Sequence, residues 1–224
     1  MQSPPFRLLS FDVGIKNLSF VDLSFDGERT TRINGWDVID VTEGSDNPAK
    51  TMRDMDELTQ RTLTVLRDRF FAADAKTDAH YDWVIIENQP ANKNPVMKTM
   101  QVTLYTFFQT VKMLFGAVSN VRLVSAMNKI PTEKGAPKLT YAQKKKRGVE
   151  LCRERLRDDP DLVTTTTTTA TSSVDMTDTE YATASTHAGM ESYSTLFERH
   201  KKKDDLADTF LQATVFISRH LRCP

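Results

Sequence analysis

The chain has 224 residues, 39% of them hydrophobic, which is enough for one good core within one or two domains. It contains no run of 18 apolar residues and begins without a secretory signal pattern, so neither a membrane span nor export is predicted. Two cysteines make no disulfide or zinc pattern, which indicates a reducing intracellular compartment, and the zero net charge argues against a surface covered in nucleic-acid contacts.

The predicted elements follow an order that is typical of an α/β fold with one mixed sheet. The first three strands, joined by short turns, predict an antiparallel meander. Later strands are expected to add parallel to the first by right-handed crossovers. In chain order, the elements are strands at 6–13, 18–25 and 31–42, a helix at 51–71, a strand at 83–87, a helix at 95–115, a strand at 121–125, and helices at 140–157 and 204–221.

Residues 158–194 differ from the rest of the chain in composition. They include a run of six threonines, carry no Lys or Arg, and show no sustained apolar periodicity. We predict a disordered, low-complexity insertion that acts as a spacer, although a regulatory or partner-binding role stays open. The parts at 1–157 and 195–224 then form a single domain.

Three acidic motifs each lie where a buried element reaches the surface. They are FDVG with Asp12, VIIEN with Glu87, and KKDDLAD with Asp205 and Asp208. The predicted topology places the strands that end at Asp12 and Glu87 side by side, with both carboxylates at the carboxyl edge of the sheet. Hard oxygen ligands suit Mg²⁺ or Mn²⁺, and two such ions about 4 Å apart promote phosphodiester cleavage. The motifs therefore predict a metal-dependent nuclease that needs no small-molecule cofactor.

Each acid also has a purely structural interpretation. Asp12 before Gly14 is a common turn former, and Glu87 is an ordinary charge at the end of a strand. Asp204 is expected to cap the last helix. Asp204 and Asp208 are four residues apart and would also share a helix face, so Asp204 stays open as an alternative to Asp205.

A basic stretch follows the second acidic motif. Residues 127–157 contain ten Lys or Arg and three acids. Beside metal-binding carboxylates, this stretch predicts a surface that tracks phosphates and a salt-sensitive interaction. A solvated helix face is the alternative.

The acidic motifs resemble those of RuvC-like Holliday junction resolvases. The similarity is closest to the poxvirus and large-DNA-virus branch, with the fungal mitochondrial resolvases as relatives. This resemblance implies an RNase H-like fold with a five-stranded sheet flanked by helices. It also implies a homodimer that binds branched DNA, a four-way junction, and makes paired incisions that depend on two Mg²⁺ ions, with Mn²⁺ as a substitute.

The resemblance further implies a role for each site residue. Asp12 would bridge both ions, Glu87 and Asp208 would each complete the shell of one ion, and Asp205 would share that task. A lysine of this family neutralises charge on the scissile phosphate. Its candidates here are Lys129 in SAMNK and Lys144 in YAQKKK. The apolar helix at 95–115 is the expected dimer face, and a viral factory, host cytoplasm, nucleus or mitochondrial matrix all suit such an enzyme.

Three other functions are alternatives to this one. An RNase H acting on RNA–DNA hybrids places its second acid on a helix, whereas Glu87 ends a predicted strand. An actin-like ATPase needs a second glycine-rich phosphate loop, for which the eight glycines of the chain offer no candidate. A non-catalytic junction-binding scaffold is disfavoured by the intact acids, because four close carboxylates repel one another unless metal neutralises them.

Overall fold

The computed structural model describes residues 5–26, 31–71, 80–90, 94–125, 139–158 and 192–221. Its core is a sheet of five strands in the order β3-β2-β1-β4-β5. The pairs β1–β2 and β2–β3 are antiparallel, and β1–β4 and β4–β5 are parallel, so the predicted mixed topology is confirmed. The strands are β1 Phe6–Asp12, β2 Leu18–Phe25, β3 Thr31–Ile39, β4 Tyr81–Glu87 and β5 Val118–Val124.

In the described part of the chain, five helices cover the two faces of this sheet, and the short α1 packs against α2. Helices α2 and α3 pack on one face, and α4, α5 and α6 pack on the other. No helix in the described part of the chain has the length and apolar content that a membrane crossing requires. The helices are α1 Pro48–Thr51, α2 Met55–Phe70, α3 Pro95–Phe115, α4 Tyr141–Asp158, α5 Tyr193–Arg199 and α6 Lys203–His220.

Alternation along the strands divides the apolar residues between two cores. Leu9 and Phe11 of β1 point to the α2–α3 face, and Phe11 packs against Phe108 with ring centroids 5.3 Å apart. Leu8 points to the other face. There, Trp36 stacks on Phe197 of α5 at 5.3 Å, with the ring planes 7° apart. Each such fully buried aromatic side chain stabilises the fold by roughly 1.5–3 kcal/mol.

Helix α3 has the bounds predicted for it because its ends carry strong local signals. Asn94 caps the first turn by accepting a hydrogen bond from the backbone N–H of Met97, and Pro95 occupies the first helical position. Gly116 ends the helix with φ of +64°, a left-handed conformation that glycine adopts without strain.

Other elements differ from the predicted bounds. Helix α2 begins four residues late because the side chain of Asp54 caps it, and α1 forms a separate turn before it. Strand β3 ends at Ile39 instead of residue 42. Strands β4 and β5 begin two and three residues earlier than predicted, at Tyr81 and Val118.

Helix α5 was not predicted. It begins at Tyr193, within the last two residues assigned to the low-complexity insertion, and both Tyr193 and Phe197 are buried in the core. The folded chain therefore resumes slightly before residue 195. Residues 159–191 of the predicted insertion lie outside the described residues.

Candidate active site

The sheet topology brings Asp12 and Glu87 to the same edge. Asp12 is the last residue of β1, and Glu87 is the last residue of β4. These strands are parallel neighbours whose register pairs Phe11 with Ile86, one residue before each acid. Neighbouring strands lie about 4.8 Å apart. The two acids thus lie side by side at the carboxyl end of the sheet.

Both acids also belong to the same face of the sheet. The Ser10 side chain points to α6, where its Oγ donates a hydrogen bond to the carbonyl oxygen of Thr209 at 3.3 Å. Ile85, which pairs with Ser10, lies in the same α6-side core. Asp12 and Glu87 follow these residues by two positions and so share their face.

Helix α6 carries the third motif to this edge. Ser19 pairs with Asp12 across β1 and β2, and its Oγ donates to the carbonyl oxygen of Asp205 at 3.0 Å. Trp36 Nε1 donates to the carbonyl oxygen of Leu206 at 3.1 Å. The first turn of α6 is therefore fixed beside the end of β1, and Asp208 follows one turn later.

A second anchor holds the middle of α6. Gln212 Nε2 donates to Ser10 Oγ and to the carbonyl oxygen of Phe11, each at 3.0 Å. Because a carbonyl oxygen only accepts, this pair of bonds fixes the orientation of the amide. The helix is thus held against β2 and β3 before Asp208 and against β1 after it, by polar bonds that set its register on the sheet.

Asp204 and Asp205 have different surroundings. Helix α6 begins at Lys203, so Asp204 lies inside its first turn and the prediction that Asp204 caps the helix is wrong. Its carboxylate bonds instead to Lys145 Nζ of α4. Asp205 lies deeper, with 16% of its side chain exposed against 29% for Asp204, and its Oδ1 is 3.9 Å from Lys145 Nζ.

These surroundings shift the pKa values of the three groups in different directions. Burial raises the pKa of Asp205, and repulsion from Asp204 raises it further. Burial also acts to raise the pKa of Asp204, but the bond to Lys145 outweighs it and the pKa is lowered. The pKa of Lys145 is raised, because its bonds to Asp204 and Tyr141 outweigh the opposing effect of burial.

The site offers oxygen ligands of the kind that Mg²⁺ prefers. Asp205 Oδ2 is a buried carboxylate oxygen with no hydrogen-bond partner in the part of the chain that the structure describes, and a cation would satisfy it. Yet no three His, Cys, Asp or Glu side chains among the described residues are gathered closely enough to hold an ion. Binding of an ion would therefore require carboxylate side chains to turn towards it, and the ion would offset the repulsion between them. With that rotation, the residues present fit a divalent metal.

The structure describes one of the two predicted lysines. Lys129 lies outside the described residues. Lys144 lies on α4 and is exposed, and it is the next residue, Lys145, that contacts the acidic motif. The sequence contained a signal for Lys145, since it precedes the buried Gly148 and Cys152 by three and seven residues. It therefore lies on the buried stripe of α4.

The segment after Glu87 is held by a second polar group. The backbone N–H of Gln89 donates to Gln101 Oε1 at 2.7 Å, and Lys98 Nζ donates to the same oxygen at 3.0 Å. Lys98 also donates to Asn88 Oδ1 at 3.2 Å. This cation beside the end of β4 was not predicted, since Lys98 belongs to a helix chosen for its apolar residues.

Comparisons with known proteins agree with this architecture. Residues 8–130 match the family model described as mitochondrial resolvase Ydc2 / RNA splicing MRS1. No curated protein matches the sequence. The crystal structure of the yeast mitochondrial Holliday junction resolvase Ydc2 is 18% identical, with 96% of this chain and 80% of that chain covered and a TM-score of 0.54. Thermus thermophilus RuvC is 11% identical, with 96% and 98% covered and a TM-score of 0.48. The likeness to the yeast structure confirms the predicted fold.

Proposed function

Because the chain belongs to the family of the mitochondrial resolvase Ydc2 and the RNA-splicing protein MRS1, we propose that it is a nuclease that resolves four-way DNA junctions. One observation carries the proposal: β1, β4 and α6 bring acidic motifs separated by more than 190 residues in the chain to one edge of the sheet. Metal-dependent phosphodiester hydrolysis needs carboxylates brought together in this way. We place this activity in one nuclease domain formed by residues 1–157 and by the chain from α5 onwards.

The acids have complementary roles in this proposal. Asp12, Glu87, Asp205 and Asp208 would hold two Mg²⁺ ions, with Mn²⁺ as a substitute. When bound, such ions activate the attacking water and stabilise the leaving 3′-oxygen. Bonds from Ser19 and Gln212 keep α6 in register, so that its acids face those of the sheet.

Positive groups around the acids would contact the scissile phosphate or position the acids. Lys129 and Lys144 remain our candidates for neutralising the charge that develops on the phosphate. Lys145 holds Asp204 and so positions the first turn of α6. Lys98 fixes the segment after Glu87 through Asn88.

A second candidate function is a non-catalytic nucleic-acid-binding protein. The family description names an RNA-splicing protein beside the resolvase, and its match covers Asp12 and Glu87 but ends before α6. A protein of this kind would bind nucleic acid without cutting it. The RNase H alternative is disfavoured, since Glu87 is the last residue of β4 and not part of a helix.

The test is incubation of the purified protein with a labelled four-way junction, a linear duplex of the same sequence and an RNA–DNA hybrid, in Mg²⁺ or EDTA. We expect paired, ligatable nicks in the junction alone, and no nicks in EDTA. Asp12→Asn and Glu87→Gln should abolish cleavage and keep junction binding. Asp56→Asn, an exposed acid on α2, is the matched control and should cut normally. Binding without cleavage in any metal would support the non-catalytic function instead.

The homodimer, the compartment and the branch of the family belong to the same proposal. Two symmetric cuts need two sites related by a two-fold axis, and we assign α3 to the dimer face. A reducing compartment of the cell suits the chain, and the mitochondrial matrix is one candidate. The similarity to poxvirus and large-DNA-virus resolvases stays a prediction from the sequence.

A further inference from the structure

A basic cleft opens beside the candidate active site, on the same face of the sheet. It lies between the outer strand β5 and helix α6 and has a volume of about 220 Å³. Among the described residues, the β5 side of α6 is lined by this cleft, while α4 and α5 pack against other parts of α6. The cleft is therefore a groove that runs from the carboxyl edge of the sheet along its free side.

The described residues that line the cleft carry positive charge and include no carboxylate. Arg122 projects from β5, and Arg219 and His220 come from the last turn of α6. Both arginines are exposed, and no ion pair between described residues includes either of them. The three groups are close: burial and the charges of both arginines lower the pKa of His220. Uncompensated cations in one groove are typical of a site that binds an anion.

The floor of the cleft adds a buried acceptor. Gln212 lines it, is 4% exposed, and has no hydrogen-bond partner for its Oε1 among the described residues. Because Nε2 of the same amide is fixed on β1, the oxygen points away from that strand. A water molecule held between this oxygen and an anion in the cleft would satisfy it.

The position of the cleft identifies the anion. Val124 lines its upper end and pairs directly with Glu87, so the cleft begins beside the acidic edge. Arg122 lies two residues before Val124 on β5, about 6.6 Å further from the acidic edge. A DNA strand has one charge for about every 3.4 Å of helix axis, so a strand leaving the cut site along this groove would place phosphates near the arginines.

We propose that the β5–α6 cleft binds the DNA strand adjacent to the cut, with Arg122 contacting a phosphate about two nucleotides from the scissile bond and Arg219, about 16 Å along α6 from Asp208, contacting one about five nucleotides from it. This inference rests on the proposed nuclease function. In this proposal, the cleft holds the cut strand in position beside the acids.

The test measures binding of the whole protein to a four-way junction in EDTA, over a range of salt concentrations. Arg122→Gln with Arg219→Gln should weaken binding roughly tenfold and reduce the slope of log K against log salt by about 1.4 to 1.8. Arg53→Gln with Arg67→Gln removes the same charge from exposed positions on and before α2 and should leave the slope unchanged. Equal effects of the two pairs would overturn the proposal, because they would show that only net charge matters.

A neutral methylphosphonate at a single position of the junction supplies the positional test. Placed about two or about five nucleotides from the mapped cut, it should weaken binding of the wild-type protein and cause no further loss in the Arg122→Gln, Arg219→Gln variant. Additive losses would overturn the proposal, while junction cleavage by the wild-type protein would leave the nuclease function standing. A wild-type protein that binds no junction would overturn both.

Discussion

Lys145 supplies a cation to the acidic site from within the protein. Its ammonium bonds to Asp204 and lies 3.9 Å from Asp205, so the two adjacent carboxylates share one positive charge. The first turn of α6 is thereby stabilised without metal. A metal ion bound at Asp205 and the Lys145 ammonium would therefore compete to neutralise the same two carboxylates.

Replacing Lys145 by methionine tests this role. In EDTA, Lys145→Met should lower the free energy of unfolding by about 1 kcal/mol, a magnitude that suits a partly exposed ion pair. Mg²⁺ should raise the melting temperature of this variant more than that of the wild-type protein, since the ion replaces the lost charge. Lys146→Met, at the exposed neighbouring position, is the control for thermal unfolding. Equal losses in both variants would exclude a special role for Lys145.

The raised pKa of Asp205 predicts a pH dependence in the metal-free protein. The folded state binds the Asp205 proton more tightly than the unfolded state, so this group contributes stability below its ordinary pKa of 3.8. That contribution is lost as pH rises through the raised folded value. Asp205→Asn should therefore be more stable than wild type at pH 7 in EDTA, with the difference shrinking towards pH 4. Urea unfolding across this range measures it, and parallel stability curves would contradict the assignment.

At the scale of the elements, the turn between β1 and β2 constrains Asp12. A Cβ on Gly14 would lie 2.5 Å from the backbone oxygen of Asn17, closer than real contacts allow. Gly14→Ala should cost roughly 1–3 kcal/mol of stability and, by moving the end of β1, reduce junction cleavage. In Gly35→Ala the new Cβ would meet nothing closer than 3.5 Å, so this variant should keep both properties. Urea unfolding and a cleavage assay distinguish the two.

The sequence predicted best those elements whose signals are local. Helix α3 carries Asn94 and Pro95 at its start and Gly116 at its end, and its bounds are correct. Helix α5 was missed because seven residues beside a threonine-rich stretch give no measurable periodicity. Its stability comes from tertiary burial of Tyr193 and Phe197.

The candidate site was also only partly predictable from the sequence. The neighbouring positions of Asp12 and Glu87 followed from strand order alone. The contact between Lys145 and Asp204 did not, because it depends on how α4 and α6 pack against each other. A run of three lysines also hides which member faces the core, and only the spacing to Gly148 and Cys152 distinguishes Lys145.

At the scale of the whole molecule, the end of α3 is unusually apolar for a surface. Met113, Leu114 and Phe115 are 80%, 68% and 74% exposed. If α3 forms the dimer face, Leu114→Glu with Phe115→Glu should yield a monomer in sedimentation velocity and single nicks instead of paired cuts. Leu63→Glu, a partly exposed apolar position on α2, should leave the dimer intact. A monomeric wild-type protein that still makes paired cuts would refute this assignment.

The low-complexity segment can be tested by removal. Its two ends lead into α4 and α5, which are joined by the ion pair between Arg153 and Glu198. Deleting 160–190 should therefore leave the melting temperature and junction cleavage largely unchanged if the segment is a spacer. A folded deletion protein without activity would show that the segment has a function of its own.

The position of α6 in the chain has a consequence for synthesis of the protein. Asp12 and Glu87 leave the ribosome early, but Asp205 and Asp208 follow only after the threonine-rich segment. A nascent chain that has folded its sheet thus holds half of the acids and no complete site. If the proposed nuclease function holds, the cell would be protected from a partly made nuclease, because cutting would begin only when the last helix docks on the sheet.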